Sequence, residues 1–242
     1  DRKNISGMIK TFLETFKAKA TQNRPALIMK TSSADFSPID REEMLIKIRQ
    51  VSAMVNGGKN LPNIYLIHGD LTNDEMNSLY NHPKVKAHVT FTKGEGFGRP
   101  LAEASLSEKI IIAPNWSGQV DFLKHSIKLG GQLTNVHPSA VWQDVILPES
   151  QWFTVHYIQG AEAFKYAYNK KNQKPMNLLA KRQARFIKDN FAIKNMEEQL
   201  SSYLDKYTSN IPTQLALKLP KLNKIAPTKP EIKLPKLKKV EL

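Results

Sequence analysis

TKGEGFGRPLAEASLSEKIIIAPNWSGQVDF, residues 92–122, is the stretch that decides the fold. An apolar run at 87–91 reads as a strand, closed by Lys93 and Gly94. Glu95-Gly96-Phe97-Gly98 then turns into a helix that begins near Pro100. Proline suits that place because its missing N–H is one of the unpaired donors of a helix start. Glycines on either side of Phe97 let backbone approach a ligand, and the helix N-terminus behind them favours negative charge. A second apolar strand, Ile110-Ile111-Ile112-Ala113, ends in another small-residue turn, Pro114-Asn115-Trp116-Ser117-Gly118. Two strand-turn-helix units side by side predict an α/β fold, with two ligand-facing loops at the carboxyl edge of one parallel sheet.

Taken together, E-G-F-G-x-P-x-x-E-A, a strand, and N-x-S-G-x-x-D-F resemble the C-terminal donor-binding domain of retaining GT-B glycosyltransferases. The resemblance spans residues 2 to about 207. It implies a Rossmann-like parallel sheet with helices on both faces, forming one half of a two-domain enzyme. Glu95 and Glu103 match the family's paired glutamates. The resemblance implies that Glu95 holds the donor sugar near its anomeric centre and that Glu103 holds the ribose. Gly96, Phe97, Gly98 and Arg99 would offer donor contacts, as would Ser117 and Gly118 in the second loop, where Asp121 matches an acidic residue. Arg99 stands where an apolar residue is common.

Upstream, Arg2 and Lys3 precede a helix with Ile5, Met8, Ile9, Phe12, Leu13 and Phe16 at helical spacing. Cations are poorly placed at a helix N-terminus unless an anion joins them. The resemblance makes Lys3 a match to the lysine that neutralises the donor diphosphate, with Arg2 as a substitute for an upstream arginine. The first strand of the domain would then precede Asp1, and the chain is expected to be a fragment or processed product. Residues 25–32 read as a buried strand ending at Lys30, either a second diphosphate contact or an ordinary strand-end lysine. A helix at 39–55 and a strand at 63–67 follow. Thr72 and Glu75 form a capping box for the next helix. By resemblance, Leu71 lies beside the nucleotide base, whereas His68 reads as structural.

Residues 134–153 show neither period and are expected to form a long irregular connection after a short strand at 127–129. Trp142 and Trp152 there either stack on a ligand or anchor the loop. Helices are expected at 157–169 and 176–208, the second with an apolar face of Leu178, Leu179, Ala184, Phe186, Ile187, Phe191 and Ile193. Lys181, Arg182 and Arg185 read as a solvated face.

The chain's 242 residues thus divide into 1–208, the nucleotide-sugar domain, and 209–242, an extended tail rich in lysine and proline. The tail carries eight Lys and two Glu, a surplus of six within the net charge of +14. Spaced lysines repel and prolines forbid a helix interior, so the tail suits an acidic partner or membrane surface, or serves as a solubilising linker. The remaining +8 suits anionic ligands such as a nucleotide sugar. No nucleic-acid motif stands out. There are no cysteines, no apolar run long enough to span a bilayer and no secretory signal, so a cytoplasmic setting is expected. No cofactor and no metal are expected. The acceptor is not legible, and an N-terminal acceptor domain is expected to be missing. The alternative reading is a noncatalytic nucleotide-sugar-binding or assembly module.

Overall fold

The computed structural model describes residues 2–31 and 36–208; the lysine–proline tail read from the sequence lies outside them. By its contacts the chain divides into Asp1–Gln199 and Leu200–Leu242. The first unit carries all that follows except the end of the last helix.

The elements alternate as the sequence pattern dictates. Helix α1 (Ile5–Phe16) leads to strand β1 (Leu27–Lys30), α2 (Pro38–Ala53), β2 (Ile64–Ile67) and α3 (Asn73–Asn81). Next come β3 (Ala87–Val89), α4 (Arg99–Leu106), β4 (Ile110–Pro114) and β5 (Ile127–Leu129). Strands β6 (Gly131–Asn135) and β7 (Gln151–Val155) precede α5 (Tyr157–Tyr168), α6 (Gln173–Phe191) and α7 (Ile193–Thr208). None of the described helices is long and apolar enough to cross a membrane.

Local chemistry explains several boundaries. Ser37 caps α2, its hydroxyl accepting from Asp40 N at 3.1 Å with Pro38 in the first turn. Thr72 and Glu75 complete both halves of the capping box on α3. Gly98, at φ 93°, takes the left-handed conformation from which α4 starts.

The parallel strands pair as β1–β2 and as β3–β4–β5. β4 is the central strand of its sheet and all five of its residues are buried. Its side chains alternate between two cores. Ile112 joins α1, α2, β1, β5, α5 and the segment just past β3 through Phe12, Val51, Met29, Leu129, Phe164 and Phe91. Ile111 and Ala113 join Leu101 and Ala104 of α4 and Ile187 of α6. Helices therefore cover both faces, as expected. In the first core, Phe12 meets Phe16 and Phe164 edge-on at 5.2 and 5.6 Å between ring centres. Burial of each such ring contributes about 1.5–3 kcal/mol.

Four expectations are corrected. The parallel sheet is not continuous, because β1 and β3 belong to separate ladders. Residues 25–32 do not form a fully buried strand: β1 alternates, with Ile28 44% exposed. The stretch 134–153 is not one irregular connection. Its ends belong to an antiparallel hairpin, β6–β7, in which Leu133 faces Phe153 and Thr134 faces Trp152, and Gly131 opens β6. Leu178 and Ile193 are exposed, not on a packed face. α6 buries Met176, Ala180, Gln183, Ala184 and Ile187, so Ala184 and Ile187 lie on the face expected, with Phe186 and Phe191 packed beside it.

Candidate functional site

Helix α1 runs back along the sheet before β1, so its N-terminus stands at the carboxyl edge of the strands. There Lys93 N, just past β3, donates to Arg2 O at 2.8 Å. This link joins residues far apart in sequence and brings two cations to the glycine turn. Lys3 Nζ lies 2.5 Å from Glu95 Oε1, and Arg2 Nη1 lies 3.4 Å from Glu95 Oε2. The Arg2 guanidinium also donates to Gly94 O. Both cations are half exposed, whereas the Glu95 side chain is 15% exposed.

The second loop fixes the backbone of the first. Ser117 Oγ accepts from Glu95 N at 3.1 Å and donates to Glu95 O at 2.7 Å. Gly118 N donates to the same carbonyl at 3.0 Å. A Cβ at Gly118 would stand 1.8 Å from Gly96 O, so no side chain fits there while the loops touch. Below this clamp, buried Gln183 of α6 donates to Phe122 O at 2.7 Å and accepts from His125 N at 2.8 Å. Ser117 and Gly118, expected as donor contacts, thus hold the two loops together. Asp121 ends the short helical turn that follows and is exposed.

Burial works to raise the Glu95 carboxyl. Hydrogen bonds from Lys3 and Thr92, with the charges of Lys3 and Arg2, outweigh it and hold the group below the usual carboxylate range. Glu95 is therefore an ionised acceptor at neutral pH and has no proton to give.

Glu103 belongs to a second group. Its Oε1 lies 2.9 Å from Arg99 Nε, one helical turn earlier, and the Tyr80 hydroxyl approaches its Oε2 at 3.5 Å. Burial, then the Glu103 charge and hydrogen bond, push the Tyr80 hydroxyl up to about 12, against the opposing charge of Arg99. Phe97, between the two carboxylates in sequence, packs its ring on Phe122 at 4.7 Å and Phe191 at 6.0 Å. A Cβ on Gly96 would meet nothing within 4 Å, which leaves the turn open there.

The remaining candidates have local partners of their own. Lys30 Nζ lies 5.6 Å from the Phe36 ring centre, and Leu71 N donates to Asp70 Oδ1 at 3.0 Å. His68 Nε2 meets Asp40 Oδ2 at 2.7 Å, with side chains 4% and 7% exposed. That contact fits the structural role read for His68. Trp142 is 68% exposed, whereas Trp152 lies under Lys93 Nζ, 5.2 Å from its ring centre. Sequence reasoning missed Tyr80, Asn4 and Tyr157. The Tyr157 hydroxyl donates to Asn4 Oδ1 at 3.1 Å beside Lys3. No spacing rule links any of the three to the motif.

No protein-family model and no curated protein matches the chain. Solved structures do. A glycosyltransferase from Rickettsia africae superposes with TM-score 0.59 at 13% identity, over 87% of this chain and 46% of that one. An Escherichia coli structure of trehalose-6-phosphate bound with UDP-2-fluoro glucose gives 0.57 at 12% identity, over 85% and 42%. A UDP-forming α,α-trehalose-phosphate synthase from Burkholderia xenovorans, in complex with glucose-6-phosphate, gives 0.54 at 13%, over 84% and 41%. The chain spans less than half the length of these structures. Its fold is that of one half of a GT-B glycosyltransferase.

Proposed function

We propose that the chain is the donor-binding half of a retaining glycosyltransferase, which moves a sugar from a nucleoside diphosphate to an acceptor hydroxyl. The observation that carries this reading is the convergence of Arg2 and Lys3 on Glu95 at the carboxyl edge of the sheet. Charge grows on the diphosphate as the bond to the anomeric carbon breaks. Cations already gathered at the turn meet that charge with less reorganisation than water needs. On this reading Arg2 and Lys3 turn from Glu95 toward the diphosphate, and the freed Glu95 carboxylate accepts from sugar hydroxyls. Glu103 accepts from the ribose hydroxyls, with Arg99 and Tyr80 orienting it. Gly96, Phe97 and Gly98 bring backbone to the diphosphate at the start of α4, Lys30 offers a second diphosphate contact, and Leu71 lies beside the base. The same arrangement gives the diphosphate its countercharge from side chains rather than from a metal ion.

The chain alone binds a nucleotide sugar weakly and turns over little on this reading, since the acceptor site belongs to an N-terminal domain. The separate ladders of β1 and β3 support an additional strand upstream, and the short coverage of the neighbouring structures supports the missing half. The test is hydrolysis and transfer from a panel of sugar nucleotides, by this chain and by a version extended at its N-terminus. Turnover by the extended form, lost in Glu95→Ala and Glu103→Ala, is expected. Binding without turnover by the extended form would favour a noncatalytic module instead.

A further inference from the structure

One aromatic residue of the motif has no part in the clamp or the ion pairs. Trp116 immediately precedes Ser117, whose hydroxyl holds the Glu95 backbone from both sides. Its indole lies parallel to the Phe153 ring, at 5.4 Å between centres and 5° between planes, yet 41% of the residue remains exposed. Phe153 itself is 7% exposed and belongs to the main core, so the indole rests on a rigid support. That support is the β6–β7 hairpin, whose preceding residue, Trp152, lies under Lys93 two positions before Glu95. The hairpin therefore touches the chain on either side of the glycine turn, at Lys93 and at Trp116.

We propose that Trp116, backed by Phe153, is a platform for the apolar face of a pyranose ring. The inference rests on the donor reading above and adds a sugar subsite to it. The C–H bonds of a pyranose face carry partial positive charge, which suits the negative face of an indole. The ring's hydroxyls point outward from that face, toward acceptors such as Glu95. A parallel stack on Phe153 holds the indole in one plane, so little side-chain freedom is lost on binding. The sugar is the donor's hexose or an acceptor sugar, and the two sources separate experimentally.

The test uses the whole chain with Trp142→Phe and Trp152→Phe, which leaves Trp116 as the sole indole. Its emission and its quenching by acrylamide are followed with a nucleoside diphosphate, the matching nucleoside diphosphate hexose, and free hexoses and disaccharides. Protection of Trp116 by the sugar nucleotide, but not by the nucleoside diphosphate, is expected if the donor sugar is the ligand. Protection by free sugars assigns the platform to an acceptor. Trp116→Leu in the otherwise natural chain should weaken the protecting ligand about tenfold and leave nucleoside diphosphate affinity unchanged. Binding of nucleoside diphosphate without protection of Trp116 by any sugar overturns the platform and leaves the donor reading standing. Protection by free sugars with no nucleotide binding does the reverse. The emission assay keeps Trp116 in place, so it decides the matter even if the leucine variant fails to fold.

Discussion

Glu95 and Glu103 look alike in the sequence, two carboxylates flanking one glycine turn, and the fold treats them differently. Glu95 is met from three directions: by the chain start through Arg2 and Lys3, by its own strand end through Thr92, and by the second loop through Ser117 and Gly118. Glu103 is held by a helix neighbour, Arg99, which is 85% exposed, and more loosely by Tyr80. The difference teaches that a motif specifies which residues approach a ligand, whereas tertiary contacts decide which of them is preorganised. Preorganised groups carry more of the binding energy, because water does not have to be displaced anew. Exposed ion pairs contribute about 0–1 kcal/mol.

The largest effect is expected where the two loops touch. Gly118→Ala forces a Cβ against Gly96 O, a backbone atom that cannot move aside alone. A loss of about 3 kcal/mol in urea unfolding is expected. Gly96→Ala, in open space on the other side of the same contact, should cost less than about 1 kcal/mol. Equal losses would break the clamp as the basis of the comparison.

Glu95→Gln comes next. Removing a charged acceptor should weaken nucleoside diphosphate hexose binding by at least about tenfold. Nucleoside diphosphate alone should bind no worse, because Arg2 and Lys3 lose a competitor. Glu103→Gln should weaken both ligands together, by about fivefold or less, since its pair is solvated. Calorimetric titration reads both variants, and reversed magnitudes would invert the ranking of the two carboxylates.

pH sharpens the same contrast. The folded Glu95 carboxyl sits below its unfolded value, so its ion pairs contribute above the unfolded value and are lost as pH falls through the folded one. Sugar-nucleotide affinity should therefore stay level from neutral pH down into the ordinary carboxylate range and decline only below it. A decline that begins within that range would show that Lys3 and Arg2 do not hold the group. The smallest effect belongs to Arg99→Ala, where an exposed i,i+4 pair contributes about 0.3–0.5 kcal/mol to thermal stability.

Much of this was legible in the chain. α1, α4 and β4 follow from apolar spacing and from the glycines and prolines at their ends, because those signals are local. The capping box at Thr72 is local too. Glu95 and Glu103 were readable as a pair, yet the partners that separate them were not. Ser117 is 22 residues from Glu95 and Arg2 is 93. The β6–β7 hairpin was missed for a related reason: its five-residue strands are joined by 15 residues with no two-residue turn signal, so only cross-strand pairing reveals it. Leu178 was counted in the packed face because it is apolar, yet the buried stripe runs through Met176, Ala180, Gln183, Ala184 and Ile187, with polar Gln183 pinned to Phe122 O.

The most direct test is a calorimetric titration of the chain with nucleoside diphosphate hexoses, alongside Glu95→Gln. Saturable binding by the natural chain that falls at least about tenfold in the variant, with the parent nucleoside diphosphate still bound, is the expected result. Equal affinity of the two proteins for every sugar nucleotide would contradict the placement of the donor sugar at Glu95.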